Sequence, residues 1–582
     1  MANKTQLMAL LLSGLIGVAQ ADEKEELLKL RNTTTNLIKQ LVKQGILSDK
    51  MANEMIKQAE VDADRQVAEA RAANKSASGG AAGGGGVAAP QVPADEVRVS
   101  YVPDFVKDEI RQQVRNELRE EVVGDVMQKA KQEQWGLPGA LPEWTKRFKM
   151  SGDLRLREQS NFMDPTNIDN AKTPYYYNFQ TLNTQGNGIS AAGVNALYNT
   201  TQDRNVSRER FRLGIDVDVA KNLEAGIRLA TGNTPNPVST NQTLGNTGAQ
   251  YQFNLDRAYL RYNLFDENNF NWLSVLGGRT INPFFTAGSE VVWDEDLSFE
   301  GFSATARKKL SNSDLADDVG STGPVFYATA GIFPLQTANL INGLSSRDKW
   351  LYGGQTGLEW AFDNQDNFKF GAAYYDYQNM KGVTNTTGQG NCANNSGDVQ
   401  QSVPQFMQGG NSLIGLCNIV SNGVVTGPGL FGLATDYKIL DFNVLYDLAL
   451  FSPLHVKFSG DFAKNIGYDA NRTIVLANYG NDYAPKTIAW QFKVDFGWTK
   501  LHHFGNWNVF GGYRYVERDA VLDAYTDSDF HNGGTNVKGW LVGGNYALMR
   551  NVWLTGRWMA GSIITGPQWN MDVMQMDLNT RF

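Results

Sequence analysis

Cysteine and histidine are scarce in this sequence, which has two cysteines and four histidines among 582 residues. Zinc sites are built mainly from these two residue types at short spacings, and no such motif is present. Hydrolysis would need a base beside a nucleophile, but none of His455, His502, His503 and His531 lies near a serine nucleophile motif. We therefore expect no enzyme, no metal site and no cofactor.

Long hydrophobic runs are also missing beyond the first 21 residues, and the mean hydropathy is −0.37. A membrane-spanning helix needs about 20 apolar residues, so none is expected in the mature chain. Residues 1–21 combine Lys4, an apolar run over 7–18 and a small-residue end at Ala21. This pattern predicts a secretory signal peptide. The net charge of −8 argues against a nucleic-acid partner.

Glycine and aromatic residues, by contrast, are abundant. The chain contains 59 glycines, 29 phenylalanines, 22 tyrosines and 13 tryptophans. Export, an even and small number of cysteines, and this composition together favour a β-protein of the bacterial envelope.

The N-terminal quarter divides into three segments with different patterns. In residues 22–74 apolar side chains recur at spacings of three, four and seven, which predicts a helical hairpin or coiled coil. Contact with a partner and a plain solvated hairpin are equally open here. Residues 75–94 form a linker rich in glycine and alanine. Residues 95–148 predict a helical stalk and a neck, with Trp135 and Trp144 suited to a membrane interface.

From residue 149 onward the apolar period changes to two, which is typical of strands. In 487–498 the large apolar residues Ile488, Trp490, Phe492, Val494, Phe496 and Trp498 alternate with small and polar ones. A soluble sandwich of this size would need protein to cover every apolar face, whereas lipid covers a closed barrel. We therefore expect an all-β transmembrane barrel over 149–582, preceded by an α-helical or coiled-coil extension in the periplasm.

The pattern predicts about 16 antiparallel strands whose connections alternate between short and long, as expected for short periplasmic turns and long extracellular loops. The predicted strands are 149–158, 208–219, 222–232, 252–264, 272–280, 296–306, 324–333, 350–361, 367–378, 437–448, 454–464, 487–499, 506–517, 537–548, 551–561 and 571–582. The turn 307–323 is longer than this rule predicts.

The last strand ends in Phe582, like the terminal signature that outer-membrane barrels present to the insertion machinery. With the helical extension and the opening strand Phe148-Lys-Met-Ser-Gly-Asp-Leu-Arg-Leu-Arg157, the sequence resembles the putative-porin family of Gram-negative bacteria. The resemblance implies a water-filled channel in the outer membrane that passes small hydrophilic solutes by passive diffusion. It also implies a homotrimer.

A second hypothesis is a tether or adhesin in which the barrel is mainly an anchor. An even strand count places the helical extension in the periplasm, where it could contact the cell wall or neighbouring protomers. Cys392 and Cys417 lie in one predicted loop, 379–436, in an oxidising compartment, and we expect a disulfide between them.

The resemblance further implies that loop 281–295, the third extracellular loop, folds into the barrel and constricts it. Its Asn282-Pro283-Phe284-Phe285 motif would turn the chain inward on an aromatic anchor. The expected constriction carboxylates are Glu290, Asp294, Glu295 and Asp296. Alternation points a set of arginines into the lumen: Arg155, Arg157, Arg210, Arg212, Arg228, Arg257 and Arg261. Since the arginines outnumber the carboxylates, we expect a preference for anionic solutes. The alternative is a loop on the rim, with the arginines simply paired to nearby Asp153, Asp216 and Glu224.

Overall fold

The computed structural model describes residues 143–582, apart from 187, 190–192, 233–234, 311–322, 339–346, 363, 395–396 and 470–483. The predicted signal peptide, the helical segment 22–74, the linker and residues 95–142 of the stalk lie outside these residues. Within the described part, no helix is long and apolar enough to cross a membrane.

Sixteen long strands form one closed antiparallel barrel, which confirms the predicted barrel and its strand number. Numbered β1 to β16 in chain order, they are Phe148–Met163, Arg204–Ala220, Leu223–Ala230, Asn254–Phe265, Asn271–Thr280, Phe299–Lys309, Val325–Gln336, Lys349–Ala361, Asn367–Gln378, Tyr437–Phe451, Leu454–Asn465, Ile488–Trp498, Trp507–Val516, Val537–Met549, Val552–Ile563 and Asn570–Arg581.

Each strand pairs with its neighbour in the chain, and β16 closes the ring against β1. The closing register runs from Asp153 opposite Arg581 to Met163 opposite Met571. The backbone of Phe582 extends the seam, because its N–H donates to the Gly152 carbonyl at 3.0 Å and its carbonyl accepts from the Gly152 N–H at 2.9 Å. Closure leaves no free strand edge, so the wall satisfies its own backbone hydrogen bonds.

The alternation of side chains gives the wall two different faces. In β1, Arg155 and Arg157 are buried on the lumen side, whereas Leu156 between them is exposed on the outside. Exposed large apolar residues, such as Phe302 on β6 and Trp540 on β14, continue this outer face around the ring. Lipid is the solvent that such a surface fits.

Six predicted strand ends were wrong by three residues or more, at both ends of the barrel: the last residues of β1, β6, β7 and β10 and the first residues of β2 and β6. β1 continues to Met163 because Gln159 and Asn161, which are polar and look like loop residues, face the lumen and pair with β16. β6 begins at Phe299 and not at Asp296, because the residues before Phe299 bond to other parts of the lumen.

The loops at one end of the barrel are L1 (164–203), L2 (231–253), L3 (281–298), L4 (337–348), L5 (379–436), L6 (466–487), L7 (517–536) and L8 (564–569). Most of them are longer than the connections at the other end, but L8 has only six residues, and the connection 310–324 at the other end has 15. L2 contributes a two-residue strand, Gln242–Thr243, that pairs with β2, and L5 contains the hairpin Leu413–Ser421 and Val424–Leu433. The described helices are Glu143–Arg147, Phe179–Gln185, Gly193–Ala196, Gly388–Gly390, Cys392–Asn394, Gly397–Gln401 and Phe530–Asn532.

The main hydrophobic cluster involves the loops and the inner wall. It joins Phe284 and Trp293 of L3, Phe431 of L5 and Val521 of L7 to wall residues such as Tyr375. Folded loops therefore occupy much of the long-loop half of the lumen.

A candidate pore constriction formed by loop L3

L3 leaves the wall after β5 and enters the lumen. Its first turn is fixed to β8 by two hydrogen bonds between the backbone of Phe285 and the side-chain amide of Gln355. The Phe285 N–H donates to Gln355 Oε1 at 2.8 Å, and Gln355 Nε2 donates to the Phe285 carbonyl at 2.9 Å. β8 is three strands from β5, so L3 bends inward from its own strands.

Aromatic packing holds this end of L3 against the wall. The Phe284 ring packs edge-on against Tyr375 of β9 with centroids 5.0 Å apart, and Trp293 packs on the same tyrosine, also at 5.0 Å. Phe284 also contacts Phe333 of β7 and Phe299 of β6. All five side chains are buried.

The far end of L3 is fixed to β2, on the opposite side of the ring. Asp296 Oδ1 accepts from Arg212 at 3.0 Å and from Arg210 at 3.5 Å, while its Oδ2 accepts from the Thr240 hydroxyl at 3.0 Å. Both arginines also bond to Asp153 of β1. Burial alone would raise the pKa of Asp296, but the nearby arginines outweigh it and hold this pKa below its ordinary value.

L7 also enters the lumen and binds the middle of L3 through backbone groups. The Asp294 N–H donates to the Tyr525 carbonyl at 2.8 Å, and the Asp527 N–H donates to the Glu290 carbonyl at 3.1 Å. In addition, the Ser528 N–H donates to Asp294 Oδ2 at 3.0 Å. L3 is therefore held at three separate places.

Three carboxyl groups meet where the two loops touch. Oxygens of Glu290, Asp294 and Asp527 lie within 4.8 Å of one another. Burial, with Asp527 and Glu295 nearby, raises the pKa of Glu290 to about 8. Burial and the neighbouring Glu290 and Asp296 also raise the pKa of Asp294 well above its ordinary value. Arg514 of β13 pairs with Asp527. The cluster has the oxygen donors of a cation site, and the Arg514 guanidinium beside Asp527 supplies one compensating positive charge.

The carboxyl cluster lines one side of a cavity of about 420 Å³ between L3, L7 and the wall. The basic side chains that line it come from four strands: Arg257 of β4, Lys493 of β12, Arg514 of β13 and Arg557 of β15. Acidic and basic side chains therefore line the same narrow space inside the barrel.

The sequence profile of the Putative porin family matches residues 31–582, nearly the whole chain. The chain belongs to this family. Family membership and the closed barrel together identify an outer-membrane channel and point away from an enzyme.

Three solved structures are similar to this porin at low identity, and each alignment covers 75% of it. They are the outer-membrane channel DcaP of Acinetobacter baumannii (11% identity, 97% of that chain, TM-score 0.35), OprB of Pseudomonas putida (11%, 95%, 0.40) and an anion-selective porin from Comamonas acidovorans (10%, 99%, 0.34). A search of curated proteins gave no match.

In this porin the first two predicted arginines face the lumen with partners from distant loops. Arg155 donates to Asn241 of L2 at 2.5 Å. Arg157 forms a bidentate bond with Asp577 of β16, with its Nε 2.8 Å from the carboxylate, and also bonds to Asp529 of L7 at 2.6 Å. These bonds attach L2 and L7 to the lumen side of β1.

A bulge in β4 places two neighbouring residues on the lumen side. Arg257 pairs with Arg228 and the next pair joins Leu229 to Leu255, so Asp256 is the extra residue. Asp256 bonds to Arg228, whereas the side chain of Arg257 makes one hydrogen bond within the described part of the chain, a long one of 3.4 Å to the Ser298 hydroxyl. Among the described residues, Arg257 has no carboxylate partner.

The structure has features of both hypotheses, a loop that constricts the lumen and a loop on the rim with arginines paired to nearby acids. Arg261 pairs with Glu224 at 3.1 Å, as the rim hypothesis has it. L3 nevertheless lies in the lumen, and Glu295, whose side chain is 70% exposed, reaches to 3.9 Å from Arg210.

Sequence reasoning missed the basic side chains on the far wall and the acids of L7. Arg514 and Arg557 lie on the polar face of strands whose alternation was recognised, so the signal was present in the sequence. Asp527 and Asp529 lie in L7, where periodicity does not show which residues turn inward.

The remaining predicted sites have clear positions. Cys392 and Cys417 form a disulfide that joins a short helix of L5 to its hairpin. The Phe582 ring lies on the outer surface, over Gly152 and next to Phe211 with centroids 6.2 Å apart. Among the described residues no histidine is hydrogen-bonded to a serine hydroxyl: His531, for example, bonds to a backbone carbonyl.

Proposed function

We propose that this porin passes small hydrophilic solutes by passive diffusion and prefers anionic ones, such as carboxylates. L3 sets the narrowest part of the path, and the cavity between L3 and the far wall is the passage. The long loops face the cell exterior, as in other barrels of this type.

The imbalance of charge across the cavity carries this proposal. Burial raises the pKa values of Glu290 and Asp294, that of Glu290 to about 8, and so favours their neutral forms. Arg257, Arg514 and Arg557 stay charged, because a guanidinium does not lose its proton in proteins. Asp527 and Asp529 balance Arg514 and Arg557. Lys493 pairs with Asp495, and Glu295 lies 3.9 Å from Arg210, so Arg257 is left to attract anions.

The reversal potential in a planar bilayer under a salt gradient tests the proposal. The wild-type protein should be anion-selective, and Arg257→Gln should lower this selectivity. Lys221→Gln is the matched control, because it removes one positive charge from an exposed short turn far along the chain from L3. The proposal fails if the wild type prefers cations or if both variants behave alike.

Liposome swelling separates the channel from the second hypothesis, a tether or adhesin. A barrel that serves mainly as an anchor would not admit sugars, whereas a diffusion channel would let the liposomes swell. Absence of both swelling and conductance in the purified protein would favour the anchor.

We further propose a homotrimer with the N-terminal helices in the periplasm. An even number of strands returns both ends of the barrel to one side of the membrane, which supports the placement of the helices. Native mass spectrometry would give the number of subunits. Removal of residues 22–135 by protease added outside intact cells would contradict the placement.

A further inference from the structure

A second polar cluster lies on the inner wall behind L3. Asp441 and Asn443 lie on β10, and Asp461 lies on β11 directly opposite Asn443 in the strand register. All three face the lumen, and their exposed fractions are 1%, 1% and 6%. This cluster takes no part in the cavity described above.

Each of the three side chains has one buried oxygen, Oδ1, that accepts no hydrogen bond within the described residues. The orientation of the Asn443 amide is fixed, because its Nδ2 donates to Asp441 Oδ2 at 2.8 Å. Its Oδ1 is therefore a true carbonyl acceptor without a donor. Buried polar atoms in native proteins nearly always have a partner, so three such oxygens in one cluster require an explanation.

The surroundings supply further oxygens but no neutralising charge. The Tyr375 hydroxyl of β9 lies beside Asp441, and the Ser289 hydroxyl of L3 lies beside Asp461. The nearby cation, Arg514, is already bonded to Asp527 and Gln491. In the described part of the chain, no lysine or arginine forms an ion pair with either carboxylate of the cluster.

Two adjacent buried carboxylates cannot both stay ionised without a compensating positive charge. The ligand set here is all oxygen: two carboxylates, an amide carbonyl and two hydroxyls. Calcium prefers such ligands, takes six to eight of them and tolerates irregular geometry. We propose that Asp441, Asn443 and Asp461 hold a divalent hard cation, with Ca²⁺ as its best representative.

A cation at this position would join three strands of the wall to L3. Asp441 and Asp461 would bind it from β10 and β11, Tyr375 from β9, and Ser289 would bring in the middle of L3. The site is thus a further support for the constriction, independent of the charge preference proposed above.

Calorimetric titration of Ca²⁺ into the chelator-treated full-length protein in detergent micelles tests the site. We expect one Ca²⁺ per chain, and binding should be lost in Asp461→Asn. Tyr375→Phe should weaken it by about tenfold, the lower end of the loss when a supporting partner is removed from a metal site. Terbium luminescence sensitised by Trp293, which packs on Tyr375, gives a second readout.

Two controls locate the site. Asp447→Asn makes the same change on the same strand, at a residue bonded to His455, and should leave binding intact. Glu290→Gln changes the other carboxyl cluster and should also leave it intact. Absence of Ca²⁺ binding in the wild type would mean that a shared proton fills this role, and the proposal would be overturned. Loss of binding in Glu290→Gln but not in Asp461→Asn would place the cation elsewhere and also overturn it.

Discussion

The ion pairs and hydrogen bonds of Asp296 should fix the far end of L3 to the barrel wall. Its carboxylate accepts four hydrogen bonds: from Arg212 at 3.0 Å, from Arg210 at 3.5 Å, and from the Thr240 hydroxyl and N–H at 3.0 and 3.3 Å. Asp296→Asn keeps the shape of the side chain but removes its charge. The variant therefore removes the ionic attraction and replaces one of the two acceptor oxygens by an amide group that cannot accept from these donors.

The expected cost follows from the burial of the pair. Removing one partner of a buried ion pair costs about 3–5 kcal/mol. Asp153 still pairs with both arginines in the variant, so we take the lower end, about 3 kcal/mol. This corresponds to a roughly 100-fold increase in the equilibrium constant for local opening of L3.

Hydrogen exchange followed by mass spectrometry measures this opening directly. The amides of 294–298 should exchange roughly 100-fold faster in Asp296→Asn than in the wild type. Glu295→Gln is the matched control, since its side chain is 70% exposed and lies 3.9 Å from Arg210. Exposed pairs contribute about 0–1 kcal/mol, so the control should exchange nearly as the wild type does. Equal exchange in the two variants would refute this role of Asp296.

Three further predictions concern other parts of the porin. The pKa of Glu290 is raised to about 8, so anion selectivity should fall as the pH rises through 8, and Glu290→Gln should reduce this pH dependence; a wild-type selectivity that stays constant from pH 7 to 9 would contradict the assignment. A Cβ at Gly152 would lie 2.4 Å from the Phe582 ring, so Gly152→Ala should lower the free energy of unfolding by about 1 kcal/mol. The same substitution should cost less in a Phe582→Ala protein, and an equal cost in the wild-type and Phe582→Ala proteins would show that the ring is not displaced. The Cys392–Cys417 bond closes a loop of 25 residues, and its reduction should destabilise L5 by about 3 kcal/mol; alkylation of both cysteines without reductant would exclude the bond in the purified protein.

The strands of this barrel could be predicted from sequence because lipid outside and polar groups inside impose a strict period of two. The prediction failed where that constraint ends. At Asp296 the chain lies in the lumen. The partners of the Asp296 carboxylate, Arg210 and Arg212, are determined by their opposite charge and not by the strand period. Contacts such as Arg157 with Asp529, which are 372 residues apart, leave no trace in a local pattern. The position of L3 could be expected from its place in the strand order and from the aromatic anchor at Phe284, but its contacts with L7 could not be expected from the sequence.

The three attachments of L3 have a consequence for the temperature dependence of the current. A loop held at Gln355, at the L7 backbone and at Asp296 has no hinge about which it could swing across the passage. In the proposed channel, ions would then cross an aperture of fixed size, without any activated movement of the protein. Single-channel conductance should therefore rise on warming only as fast as the conductivity of the surrounding electrolyte.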